Sequence, residues 1–197
     1  MRYEKGRKDA SRRRIMTVAA ERFRRDGIAA SGLAAIMSDA GLTNGAFYPH
    51  FPSKEALVRE SLAVTLEDQA GHVGQTLCEA GLEGFIASYL SARHRDNPAK
   101  GCAAAALLPE LARQPLATRR LCAERMSAAV RRIAAALPPA TRDREAVALG
   151  VYATLIGALE IARAVKGTPL SERALEAGAE AARTIGRTIT RRGSAGP

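Results

Sequence analysis

The chain has 197 residues, of which 47% are hydrophobic and 25% charged, and its thirty Lys and Arg against twenty Asp and Glu give a formal net charge of +10. This composition is that of a globular protein and excludes general disorder, while an aromatic content of only 4% and many alanines favour packed helices over a β-sandwich. The longest uncharged run, Ala146 to Leu159, is shorter than the roughly 18 residues that a membrane helix needs, and no signal-peptide core is found.

The first sixty residues are predicted to contain a basic arm and the beginnings of four helices. Residues 1–10 are predicted as a basic flexible arm, since seven of the twelve Lys and Arg in residues 1–60 lie within the first fourteen. The boundaries of these helices are predicted from side chains that can act as N-caps and from breaks centred on glycine. The predicted N-caps are Ser11, Ser31, Thr43 and Ser53, and the predicted breaks are Asp26-Gly27 and Gly41-Leu42.

The rest of the chain is predicted as longer helices, with Pro and Gly at their ends. These helices cover residues 54–79, 82–95, 102–113 with a kink at Pro109, 116–137, 141–166 with Thr141 as N-cap, and 171–192. We therefore expect an all-α fold of about nine helices. Its expected parts are a first group of short helices (11–56), a larger group of longer helices (57–192) and a disordered tail (193–197).

The second and third predicted helices form a helix-turn-helix candidate, because a Gly-centred turn joins them. Leu42, Phe47 and Phe51 would face inward and leave small and polar residues for a DNA groove. An Asn side chain can pair with adenine and an Ala methyl can contact a thymine methyl. The outward residues are Thr43, Asn44, Gly45, Ala46, Tyr48 and His50, with Lys54 and Ser31 as further candidate phosphate contacts.

Residues 12–58 resemble the DNA-binding domain of the TetR family of bacterial transcriptional regulators. The resemblance is carried above all by Gly41 to Leu57, GLTNGAFYPHFPSKEAL. It implies that residues 11–56 form a helix-turn-helix DNA-binding domain and that residues 57–192 form an effector-binding and dimerisation domain. It also implies that Asn44 and Ala46 lie closest to base edges. It implies phosphate contacts by Ser31, Thr43, Tyr48, His50 and Lys54. Met37 and Pro49 depart from the family pattern, and Pro49 predicts a distortion at the end of the recognition helix because it lacks an N–H.

An operator-binding helix-turn-helix protein normally acts as a two-fold dimer. Apolar and small residues recur at intervals of three and four in the last two predicted helices, which is typical of close helix packing. We expect a four-helix homodimer interface built from these two helices. Its predicted members are Val151, Leu155, Ala158, Leu175, Gly178, Ala182, Ile185 and Ile189.

An effector pocket is expected among the helices between about residues 60 and 165. The low aromatic content favours a small apolar or mildly polar effector. The candidate lining residues are Phe85, Tyr89, Cys102, Leu108, Leu111, Met126, Tyr152 and Leu155. Cys102 begins a predicted helix, a position that favours a thiolate, although small buried cysteines are more common.

The sequence thus predicts an effector-responsive repressor that binds double-stranded DNA and leaves a pseudo-palindromic operator when a small molecule binds. The alternatives are a transcriptional activator, or a redox or electrophile sensor acting through Cys102. An enzyme is disfavoured because the three histidines show no HExxH motif, and no cofactor or metal site is predicted since the three cysteines lack CxxC spacing. A membrane-surface protein is disfavoured because the first helix has only a narrow apolar stripe. The expected setting is the cytoplasm of a bacterium, at the nucleoid when DNA is bound.

Overall fold

The computed structural model describes residues 2–187, with side chains from residue 6 onward, and this part of the chain contains no strand. Its α-helices are α1 (Arg2–Asp26), α2 (Leu33–Asp39), α3 (Lys54–Tyr89), α4 (Ala92–Asp96), α5 (Ala103–Leu111), α6 (Leu116–Ala136), α7 (Arg144–Ala164) and α8 (Pro169–Arg187). Single 3₁₀ turns occupy Asn44–Ala46 and Pro98–Lys100. The predicted all-α class, with a helix-turn-helix arrangement followed by longer helices, is confirmed.

The predicted N-caps Ser11 and Thr141 were wrong. Helix α1 already includes residues 2–10, which were predicted as an arm, so Ser11 lies inside the helix rather than at its N-cap. The N-cap of α7 is Asp143, whose side chain accepts a hydrogen bond from the Ala146 N–H at 3.3 Å. Thr141, the predicted cap, is buried. For α7, Asp143 offers a capping oxygen two residues after Thr141, and the helix begins there.

The region around Ser53 follows the prediction closely. The Ser53 hydroxyl accepts a hydrogen bond from the Ala56 N–H at 3.2 Å and so caps α3. Hydrogen bonds from its own backbone N–H and from Ser53 hold the pKa of Glu55 below its ordinary value. Helix α3 joins two predicted helices across a break at Gly81, where φ is 64°. The third predicted helix is reduced to the 3₁₀ turn Asn44–Ala46, so Pro49 shortens that element more than expected.

The described residues form two compact units. The first contains the chain up to Gln69 together with Asn97–Met126. Its core is a cluster of buried apolar side chains from α1, α2, α3, α5 and α6 and from the segment around Phe47. The fully buried large members are Ile15, Phe23, Ile36, Met37, Phe47, Phe51, Leu57, Leu62 and Leu107. Helix α5 therefore shares one core with the helix-turn-helix segment, while the predicted domain division at residue 56 remains a prediction.

The second unit contains Ala70–Asp96 and the chain from Ser127 onward, and α7 packs along α8 within it. Gly178 marks the closest approach, because an added Cβ there would lie 2.2 Å from the Cβ of Ala158. The buried Arg95 joins α4 to the start of α8. It donates hydrogen bonds to Ser171 Oγ at 3.0 Å and to Asp96 at 2.8 Å, and this pairing lowers the pKa of Asp96 to about 2.

One described helix, α7, is long and apolar enough to cross a membrane by length and composition alone. Nearly half of its most apolar window is buried inside the protein, and buried core helices commonly meet the same criterion. The contact with α8 accounts for part of its apolar surface.

We predict that Gly178→Ala lowers the free energy of unfolding by about 1–3 kcal/mol, because the new methyl group overpacks the contact with Ala158. The measurement is chemical denaturation followed by far-UV circular dichroism. Gly71→Ala is the matched control, since Gly71 lies in a helix with no heavy atom within 4 Å of an added Cβ, and it is expected to stabilise by about 0.5–1 kcal/mol. Equal effects of the two substitutions would contradict the close approach.

Candidate nucleic-acid interface

The segment that corresponds to a recognition helix is residues 43–50, named here the recognition turn. Thr43 is the N-cap of its 3₁₀ helix, although its hydroxyl makes no capping bond, and the helix ends at Phe47. A second turn follows in which the His50 N–H donates to the Phe47 carbonyl at 2.9 Å. A helix this short has little stability of its own, so its position must come from packing.

Two phenylalanines anchor the recognition turn in the core of the first unit. Phe47 and Phe51 are fully buried and stack with ring centroids 5.6 Å apart. The guanidinium of Arg12 lies 4.7 Å above the Phe51 ring and also pairs with Glu60 of α3. The anchor thus ties the turn to both α1 and α3, and the residues between the two rings are held at the surface.

The predicted base-contacting residues lie at this surface. Thr43, Asn44 and Gly45 are exposed, Ala46 is half-buried and Tyr48 is 68% exposed. The Tyr48 ring packs edge-on against Phe47, with centroids 5.4 Å apart. Exposed small and polar side chains on a rigid base are what insertion into a DNA groove requires.

His50 lies at the end of the recognition turn, close to the positive charges of α1. Its Nδ1 is buried and has no hydrogen-bond partner among the described residues. Burial, and to a smaller extent the charges of Lys8 and Arg12, lower the pKa of His50. Positive charges of α1 therefore lie near the position predicted for a phosphate contact.

The side chains of Ser31 and Lys54, both predicted to contact DNA phosphates, make hydrogen bonds within the protein. Ser31 is fully buried and donates its hydroxyl to the Gly27 carbonyl at 2.7 Å. It does not cap α2, whose N-cap is Gly32. Lys54 is half-buried, and its Nζ donates to the Ile28 carbonyl at 2.9 Å. Both side chains hold the loop between α1 and α2, so their predicted phosphate contacts remain proposals.

No pattern in the sequence indicated the residue that completes this loop, Glu110 of α5. Its carboxylate accepts hydrogen bonds from the N–H groups of Ile28 and Ala29 at 3.1 and 2.9 Å. The partners are 82 and 81 residues apart in sequence, beyond the reach of any local pattern. A groove of about 260 Å³ lies beside these groups and is lined by Ile28, Ala29, Lys54, Glu55, Val58, Glu110, Arg113 and Gln114.

None of the predicted effector-pocket residues lines that groove. Cys102, Leu108, Leu111 and Met126 belong to the first unit, whereas Phe85, Tyr89, Tyr152 and Leu155 belong to the second. Cys102 is half-buried at the N-cap of α5, and Leu111 is in the core cluster. The structure thus divides the predicted pocket residues between two units, and their common role remains a prediction.

Most of the predicted dimer-interface residues are buried within the chain itself. Six of them are less than 9% exposed, and they include Gly178 with its contact to Ala158 between α7 and α8. The six are Val151, Leu155, Ala158, Leu175, Gly178 and Ala182. Ile185 is half-buried, and Ile189 lies outside the described residues. Side chains already buried in one chain have little surface left to bury against a second.

Comparison with known proteins agrees with this geometry. Residues 15–61 match the model of the tetR family of bacterial regulatory proteins. No curated protein shows significant sequence similarity to the chain.

Solved structures extend the likeness beyond the matched segment. The reduced form of E. coli NemR is 18% identical, with a TM-score of 0.74 over 89% of this chain and 96% of that one. A TetR-family transcriptional regulator from Cytophaga hutchinsonii is 20% identical, with a TM-score of 0.74 over 91% and 96%. FadR from Bacillus subtilis, in complex with stearoyl-CoA, is 13% identical, with a TM-score of 0.65 over 88% and 97%. Residues 15–61 therefore resemble the N-terminal segment of the tetR family of bacterial regulatory proteins, and the chain as a whole has the fold of these solved structures.

Proposed function

We propose that this chain is a DNA-binding transcriptional repressor that acts as a homodimer and leaves its operator when a small molecule binds. The observation that carries the proposal is the recognition turn, an exposed polar tip held on two fully buried phenylalanines. The basic α1 beside it supplies attraction to phosphates, and Asn44 and Ala46 supply contacts to base edges. Two such turns must lie about 34 Å apart to enter successive major grooves on one side of DNA.

The exposed faces of α7 and α8 are proposed as the homodimer interface, in place of the buried residues that were first predicted to form it. Leu149 and Ile161 on α7 are 56% and 52% exposed, and Leu170 on α8 is 51% exposed. They lie in stripes of small residues spaced three or four apart, and exposed apolar stripes of this kind mark protein interfaces. The proposed outer stripe consists of Leu149, Ala153, Gly157, Ile161, Leu170, Ala174, Ala177 and Ala181.

The effector is proposed to be a small apolar or mildly polar molecule. The complex of FadR with stearoyl-CoA shows that a protein of this fold can bind a ligand with a long apolar part. Binding of the effector would favour a conformation in which the two recognition turns no longer match successive grooves, and so lower operator affinity by a population shift.

The proposal is tested by selecting bound duplexes from random-sequence DNA with the purified chain. We expect enrichment of a pseudo-palindrome and an affinity that falls steeply with salt, by several log units per log unit of salt if several phosphates are contacted on each subunit. The Asn44→Ala variant is expected to bind the selected duplex about 5- to 150-fold more weakly, the effect of losing a good base contact, with little change on random DNA.

Gln75→Ala is the matched control, since Gln75 is an exposed amide on α3 that pairs only with the neighbouring Glu79 among the described contacts. It is expected to bind like the wild type. No enriched sequence, a shallow salt dependence, or equal effects of the two substitutions would contradict the proposal.

The dimer face is tested with Ile161→Arg, which places a charge in the centre of the outer stripe. We expect the variant to sediment as a monomer and to lose most of its affinity for the selected duplex, because burying an unpaired charge is costly. Leu116→Arg is the control, because Leu116 is equally exposed at 50% but lies on α6. A dimeric Ile161→Arg variant would show that the interface lies elsewhere.

A further inference from the structure

In the loop between α1 and α2, the backbone N–H groups of Ile28 and Ala29 point toward the same carboxylate. Gly27 adopts a φ of +88°, which L side chains rarely accept, and this turns the N–H groups of Ile28 and Ala29 toward α5. Successive N–H groups that follow a left-handed residue form a small concavity suited to an anion. The anion here is the carboxylate of Glu110, which accepts from these N–H groups at 3.1 and 2.9 Å.

The same loop is fixed from its other side. Lys54 Nζ donates to the Ile28 carbonyl at 2.9 Å, and the buried Ser31 hydroxyl donates to the Gly27 carbonyl at 2.7 Å. A Cβ on residue 27 would lie 2.7 Å from Oε1 of Glu110, so a side chain there would displace the carboxylate from its present position. The loop therefore has one well-defined position, and Glu110 is the contact that makes this position depend on α5.

The loop leads directly into the helix that supports the recognition turn. Helix α2 begins at Leu33, and its buried Ile36 and Met37 belong to the same core cluster as Phe47. The Leu42 N–H donates to the Met37 carbonyl at 2.9 Å, so the end of α2 is joined closely to the recognition turn. A shift of the loop would thus move α2 and, with it, the recognition turn.

Helix α5 is part of the first unit and packs into its core. Leu107 and Leu111 are in the core cluster. The segment just before α5 is bound to α1, since Arg24 Nε donates to the Ala99 carbonyl at 2.6 Å. Leu108, on the same helix, is half-buried and is a predicted effector contact.

We propose that Glu110 is a positioning residue for the recognition turn. The Glu110 carboxylate accepts hydrogen bonds from the N–H groups of Ile28 and Ala29 and so couples the position of α5 to that of α2. When α5 is displaced, these hydrogen bonds break and the loop between α1 and α2 is free to move. This inference rests on the proposed function, because it names the contact through which a change in the effector-binding helices reaches the DNA-binding surface. A ligand that favours a displaced α5 lowers operator affinity through this contact.

The test compares Glu110→Gln with Glu124→Gln by residue-resolved hydrogen exchange. Both substitutions remove one negative charge from the same unit, and Glu124 is an exposed residue on α6. Gln keeps one acceptor oxygen but loses the charge and turns an N–H₂ group toward a backbone donor. We expect Ile28 and Ala29 to exchange roughly tenfold or more faster in Glu110→Gln, with faster exchange also in α2 and the recognition turn. Exchange in α7 and α8 should match the control.

DNA affinity is measured on the same two proteins with the selected duplex and with random duplex. We expect Glu110→Gln to lower the ratio of specific to non-specific affinity by roughly fivefold or more relative to Glu124→Gln, at equal net charge. Glu110→Asp serves as a second variant. It keeps the charge but shortens the side chain by one methylene, and it is expected to give an intermediate effect in both measurements.

Faster exchange at Ile28 and Ala29 alone, with α2, the recognition turn and the affinity ratio unchanged, would overturn the inference and leave Glu110 a purely local contact. Unchanged exchange in both Glu110 variants would overturn it as well. If the wild type shows no preference for any duplex while exchange in α2 and the recognition turn still responds to Glu110, the proposed function fails and the positioning role stands.

Discussion

The burial of Phe47 and Phe51 is the interaction on which the DNA-binding surface depends. The recognition turn contains only one 3₁₀ turn, which cannot be stable on its own, and these two rings anchor it in the core. Arg12 of α1 lies over the Phe51 ring and forms an ion pair with Glu60 of α3, so α1, α3 and the recognition turn are in contact beneath the exposed tip. Rigid support of this kind lets a very short segment present side chains in a fixed geometry.

The positively charged side chains and the side chains proposed to contact bases lie on two neighbouring elements, α1 and the recognition turn. The excess of Lys and Arg in the first fourteen residues lies on α1, whereas the exposed tip of the recognition turn, Thr43 to Tyr48, carries no charged side chain. The field of α1 nevertheless reaches the turn, since Lys8 and Arg12 contribute to lowering the pKa of His50. In the proposed function α1 attracts the polyanion without regard to sequence, and discrimination between sequences comes from uncharged side chains such as Asn44.

Local patterns in the sequence were sufficient for most helices and for the location of the candidate site. The Ser53 cap and the break at Asp26-Gly27 depend on interactions within a few residues, and both are as predicted. The surface placement of Asn44 also follows, because the inward positions of Phe47 and Phe51 fix which residues face out. The extent of the recognition helix could not be predicted, since its length depends on the competition between Pro49 and the packing of the two phenylalanines.

Long-range contacts account for the remaining differences. The carboxylate of Glu110 meets the Gly27 loop only in the folded chain, and the side chains of Ser31 and Lys54 donate hydrogen bonds to carbonyl groups of the same loop. In α7, apolar residues occur on almost every face, so spacing alone could not distinguish the side that packs on α8 from the side that stays exposed. The small size of Gly178 fits both interpretations, and only its contact with Ala158 shows that it serves the fold of one chain.

Hydrogen exchange with and without a selected duplex shows directly whether residues 43–50 contact DNA. We expect slower exchange at the amides of the recognition turn on addition of DNA, together with slower exchange in the first turns of α1. Exchange in α6 should be unchanged. Protection confined to other parts of the chain, with the recognition turn exchanging as fast as in the free protein, would show that these residues do not contact DNA.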